Sequence, residues 1–131
     1  MIPEQDFSPS AATYDLIWVQ WVIGHLHDID CVQFLRRCAA GLKPCGVIVL
    51  KDNVLIDEDL TFLWDRTDSS VARHMRYLKL LISLSGLQVI MEARQQDFPS
   101  ELLPVFMIAI SVAPSLLIDT PSIFSSTSSN V

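Results

Sequence analysis

The chain has 131 residues, 50% of them apolar and 18% charged, with 9 Lys and Arg against 15 Asp and Glu for a formal net charge of -6 and a pI near 4.8. That length holds one domain with its own core, and the acidic balance argues against nucleic acid as a partner and for a basic peptide or protein. The mean hydropathy of +0.38 is high for a soluble domain of this size, so some apolar surface is expected to lack its usual cover.

The amino-terminal MIPEQDFSPS has no cationic and apolar leader, so no secretory signal is expected there. The segment Tyr14 to Leu26, YDLIWVQWVIGHL, then opens with the apolar run Leu16, Ile17, Trp18 and Val19, which predicts a strand buried on both faces of a parallel sheet. Gln20, Trp21 and His25 follow at its carboxyl end, where ligands bind in open α/β sheets beside the topological switch point. An amide, an indole and an imidazole at that place mark a candidate site. Each also has a plainer use, Trp21 as core and His25 as a packing or capping group.

Asp28 is placed to cap a helix over about Ile29 to Ala40, in which Cys31, Val32, Leu35, Cys38, Ala39 and Leu42 follow the three-and-four spacing of a buried face. Gly41 ends it, and Pro44 to Gly46 is expected to turn the chain into a second apolar strand, Val47 to Leu50. Lys51, Asp52 and Asn53 at that strand's carboxyl end repeat the gathering of polar groups seen after the first. The cysteines at 31, 38 and 45 lack the CxxC pairing of zinc sites, and their odd count argues against a disulfide framework. Cys31 and Cys38 are expected to act as small hydrophobes, no metal is implied, and the compartment is a reducing one.

An acidic loop from Ile56 to Thr67 leads to Asp68-Ser69-Ser70, a capping sequence for a helix running to about Ser85, where Gly86 closes it. Leu87 to Ala93 and Val105 to Ser111 read as two further strands. Only the polar connection from Arg94 to Pro104 separates them, too short for a helical crossover, so an antiparallel hairpin is expected. The charge-free run from Leu102 to Ile118 is broken by Pro104 and Pro114 and falls short of the roughly 18 to 20 residues that span a bilayer, so no membrane segment is predicted. The division is then a domain over 1–112 and a Ser/Thr-rich, disordered tail over 113–131.

Taken together, YDLIWVQWVIGHL at 14–26, FLRRC at 34–38, IVLKDN at 48–53, DSSVAR at 68–73 and the spacing of Glu101, Val105 and Ala109 resemble the protein α-N-methyltransferases that modify X-Pro-Lys/Arg amino termini. The resemblance implies an α/β fold, the C-terminal half of a Rossmann-like S-adenosylmethionine-dependent methyltransferase, with strands four to seven, covering helices and an antiparallel last strand. By the same resemblance, Gln5 and Gln20 match positions that contact S-adenosylmethionine. Trp21 and Asn53 match groups that line the substrate channel and orient the peptide terminus, and His25 and Asp68 match the pair credited with accepting the proton. Asp65 and Ser70 match contacts to the third substrate residue. The residue types suit that chemistry: an α-amine with a pKa of about 7.7 to 8.0 must lose a proton before it attacks a methyl group, and an imidazole near 6.5 can take it.

The chain also departs from the family. Its four glycines, Gly24, Gly41, Gly46 and Gly86, lie outside any glycine-rich donor turn of the kind that follows a first Rossmann strand, so weakened donor binding is expected of this chain alone. The strand at Leu16 to Val19 would then be an uncovered edge, open to pairing with a full-length homologue. A non-catalytic interaction protein is therefore the alternative to an enzyme. The stretch from Asn53 to Asp68 is a few residues longer than usual and contains Trp64, and Leu103 and Pro104 replace a more polar, aromatic pair. The expected location is nucleus and cytoplasm.

Overall fold

Leu42–Leu55 forms a strand of 14 residues, β2, and every other sheet element except β3 and β5 pairs with it directly. The computed structural model describes residues 8–99 and 102–114. Along one edge of β2 runs β1 (Tyr14–Gln20), parallel, from Tyr14 opposite Leu42 to Gln20 opposite Lys51. Beyond the end of β1 the same edge takes β4 (Ser70–His74), also parallel, through Val54 with Arg73 and Leu55 with His74. The other edge takes β6 (Val105–Val112), antiparallel, which pairs in turn with β5 (Leu87–Arg94). β3 (Phe62–Asp65) completes the sheet as an antiparallel partner of β4.

Burial alternates along β2, with Ile48, Leu50, Asp52 and Val54 on the covered face. Opposite them in register stand Ile110, Ile108 and Phe106 of β6 and, across β1, Ile17 and Val19. Helices α1 (Asp28–Ala40) and α2 (Met75–Leu84) both bury their apolar sides in this one cluster, contributing Cys31, Leu35 and Cys38, and Leu78, Leu81 and Ile82. β1 is therefore buried on one face only, contrary to the expectation of two. Its other face shows Leu16 at 55% and Trp18 at 50% exposure, because both helices lie on the opposite side of the sheet.

Local chemistry explains the remaining differences from expectation. The predicted turn at Pro44 to Gly46 is instead a bulge inside β2, with Cys45 at φ +70° where the pairing with β1 shifts register. Residues 70–74 are strand rather than helix, since the acidic loop folds back as β3 and gives β4 a partner. Asp68 still uses capping chemistry, accepting from the Ser70 amide at 3.0 Å, but in the turn of the β3–β4 hairpin. The cap of α2 is His74, whose Nδ1 accepts the Arg76 amide at 3.0 Å, and Gly86 at φ +80° leaves the helix as only glycine does easily. The antiparallel pairing of β5 and β6 is as expected. The tail from residue 115 lies outside the described residues, and no described helix is long and apolar enough to cross a membrane.

Ile110, fully buried between Ile48 and Val89 on the central antiparallel strand, tests the core. Ile110→Ala is expected to lower unfolding free energy by about 2 to 5 kcal/mol in a urea titration.

Candidate functional site

The site is built around the carboxyl ends of β1 and β2. β1 stops at Gln20, and Trp21 takes a left-handed backbone, φ +59°, while its N–H donates to the Lys51 carbonyl at 3.0 Å. The chain then makes one 3-10 turn, Ile23–His25, that carries the imidazole. Two buried ionisable groups hold this turn. Arg73 of β4, 4% exposed, donates to the carbonyls of Ile23 at 2.9 Å and Leu26 at 2.5 Å and to the Asp28 carboxylate at 3.0 Å. Asp52 of β2, 9% exposed, accepts the Gly24 N–H at 3.4 Å and the Asn53 N–H at 2.8 Å.

The Asp28 carboxylate, expected to cap α1, instead takes Arg73 and the Tyr77 hydroxyl. The cap position falls to His27, which makes no side-chain cap bond. Tyr77 is also packed edge-on by Phe62 of β3, with ring centroids 4.9 Å apart. One connected network thus ties the β3–β4 hairpin, the start of α1 and the His25 turn together.

Between the hairpin and the tip of β2 lies a cleft of about 350 Å³ whose walls include Asp52, Asn53, Trp64, Asp65, Asp68, Ser70 and Leu103. Asn53 is oriented there by its side-chain nitrogen, which donates to the carbonyls of Leu103 at 3.2 Å and Pro104 at 3.4 Å and leaves the carboxamide oxygen as an acceptor. Asp65 accepts the Thr67 N–H at 2.8 Å, and Asp68 accepts the Ser70 hydroxyl at 2.7 Å as well as its amide.

The cleft carboxylates sit in opposite electrical environments. Hydrogen bonds from the Ser70 hydroxyl and amide hold Asp68 below the ordinary carboxylate range, and the charge of His25 adds a smaller pull in the same direction. Burial pushes Asp52 up, an effect that the Asn53 and Gly24 amides and then His25 oppose. His25 is therefore within electrostatic reach of both, although it is not among the cleft's walls. Cys31 and Cys38 are pushed up to about 11 by burial, so both are unreactive thiols.

Of the residues singled out in the sequence, Asn53, Asp65, Asp68 and Ser70 meet in one cleft, and His25 stands beside them. Trp21 lies at the tip of β1, 41% exposed, outside the cleft's walls. Gln20 is on the open face of β1, where its carboxamide oxygen accepts the Trp18 indole N–H at 3.0 Å. Gln5 lies outside the described residues. Arg73 is not legible in the sequence, since an arginine in an exposed-looking DSSVAR segment carries no mark of burial, whereas Asp52 stands among the polar groups at the end of an apolar strand but without a role of its own.

An open α/β sheet with its polar groups at the parallel strands' ends and an antiparallel last strand is the architecture of S-adenosylmethionine-dependent methyltransferases. The chain is similar to a SAM-dependent methyltransferase of Leishmania major, with a TM-score of 0.75 and 37% identity over 82% of this chain and 42% of that one. The Burkholderia thailandensis 1,6-didemethyltoxoflavin-N1-methyltransferase shares the fold, with a TM-score of 0.69 at 16% identity over 85% of this chain and 49% of that one. Residues 1–111 match the family described as AdoMet dependent proline di-methyltransferase, and the chain belongs to that family. It is 48% identical over 106 residues to N-terminal Xaa-Pro-Lys N-methyltransferase 1 of Danio rerio and 44% identical to that of Mus musculus, in each case over 81% of this chain and 46% of the relative. The chain thus spans about half the length of the curated relatives it matches. The family's methyl donor is S-adenosylmethionine.

Asp52 makes stability depend on pH. Its raised pKa means the folded chain holds that proton more tightly than the unfolded chain does, near 3.9. The stability it contributes is complete below about pH 3.9 and is lost as pH rises through the folded value. Asp52→Asn removes that loss, so in urea titrations from pH 4 to 7 the stability of the variant relative to the parent is expected to increase with pH.

Proposed function

We propose that this chain carries the substrate half of an S-adenosylmethionine-dependent enzyme that methylates the α-amino group of protein amino termini of the X-Pro-Lys/Arg type. The observation that supports it is the meeting of Asn53, Asp65, Asp68 and Ser70 in one acidic cleft with His25 beside it. When bound, the donor supplies an electrophilic methyl group on a sulfonium. Among the described residues its adenosine end fits the tip of β1, where the Gln20 carboxamide offers hydrogen bonds and the half-exposed Trp18 offers an indole face.

In this proposal the peptide's ammonium group enters between Asn53 and Asp68. The carboxamide oxygen of Asn53 accepts one N–H and orients the amine. Asp68, held anionic by Ser70, attracts the ammonium charge, and a charge-assisted contact of this kind is stronger than a neutral one. His25 accepts the proton, which frees the nitrogen lone pair, and the positive charge that it gains is offset by the ionised Asp68. Trp21, 41% exposed at the tip of β1, offers a proline ring an apolar face. Asp65 and Ser70 receive the basic third residue.

A second reading has its own observation: among the described residues β1 pairs with β2 alone and its outer face leaves Leu16 and Trp18 half exposed, which suits pairing with a full-length homologue without catalysis. The three free cysteines suit a reducing compartment, in this proposal nucleus and cytoplasm.

One experiment separates the two readings. The chain is mixed with S-adenosylmethionine and an X-Pro-Lys peptide, with calorimetry for donor binding and mass spectrometry for the product. The enzyme reading expects donor heat and a methyl group on the α-nitrogen, with Asp68→Asn slowing transfer by about 10² to 10⁴-fold. The pairing reading expects neither, together with a complex of this chain and a full-length homologue on sedimentation.

A further inference from the structure

Trp64 is the largest side chain of the cleft, and no part of the proposed mechanism uses it. It lies on β3, opposite Val71, between Leu63 and Asp65, and is 62% exposed. The hairpin does not need it for anchorage. Phe62, two residues earlier, already fixes β3 to Tyr77, and β4 is fixed to β2 through Arg73 and His74. The strand is thus fastened at its root and presents an indole at the mouth of an acidic cleft.

The carboxylates next to that indole have capacity to spare. Asp65 and Asp68 each use Oδ1 on an N–H of their own turn, the latter also on the Ser70 hydroxyl, and Oδ2 of each remains for another donor. Arg66 lines the same cleft, so its net charge is smaller than three aspartates would give. Discrimination there falls less on bare charge and more on the aromatic face. Indole faces attract cations, and a planar, weakly hydrated guanidinium stacks on them better than a compact, strongly hydrated ammonium does.

We propose that Trp64 is a specificity-determining wall of the third-residue subsite, and that with Asp65 and Asp68 it selects a guanidinium over an ammonium. This rests on the reading of the cleft as a peptide site. The test is calorimetry of the full chain with three peptides identical except for arginine, lysine or norleucine at position three.

The arginine peptide is expected to bind about 3- to 10-fold tighter than the lysine peptide, and norleucine weakest. Trp64→Leu is expected to weaken the arginine peptide about 3- to 10-fold and to bring arginine and lysine level, while Trp64→Phe keeps part of the preference. If the parent binds and Trp64→Leu preserves its arginine-to-lysine ratio, the wall is overturned and the peptide site stands. If the parent binds none of the three, both fall.

Discussion

The site depends on one buried guanidinium. Arg73 reaches from β4 into the loop after β1 and takes the carbonyls that bracket the His25 turn, with Asp28 as its anion. A buried arginine is tolerable only when its donors are matched, and a turn with unsatisfied carbonyls is tolerable only when something donates to them. Each requirement meets the other here. The hairpin joins β2 through only the Val54–Arg73 and Leu55–His74 pairs, so Arg73 also sits where the hairpin meets the sheet. That side chain links the hairpin, whose turn bears the carboxylates, directly to the β1 loop, which bears the imidazole.

Asp52 does the complementary work and gives the cleft its electrical asymmetry. A carboxylate deep in the sheet face is pushed toward its neutral form, while one on an exposed turn, donated to by a serine, is held ionised. The imidazole stands near both. Two carboxylates of identical intrinsic chemistry are separated here by burial of the one and by the Ser70 hydrogen bonds to the other, a difference that residue identity does not carry.

Much of the fold was legible because it depends on local pattern. The apolar runs ending at Val19 and Leu50 are strands, Cys31, Leu35 and Cys38 are buried at helical spacing, and the short connection before Val105 forces an antiparallel hairpin. Asp68 shows where legibility stops. An Asx side chain accepting an N–H two residues on serves a hairpin turn as well as a helix start, and only the return of residues 62–65 as a partner strand decides between them. Asp28 fails for a related reason, since its carboxylate finds Arg73 and Tyr77, residues more than 40 positions away.

By itself, then, the sequence determined the fold class, the order of strands and helices along most of the chain, and which strand ends bear polar groups, because periodicity, turn residues and connection length act over a few neighbours. Only the tertiary structure decided that the hairpin exists, that both helices cover one face of the sheet and leave Leu16 and Trp18 open on the other, and that Arg73 and Asp52 clamp the His25 turn. Those outcomes turn on burial and on partners distant in sequence, and neither is a property of any short segment.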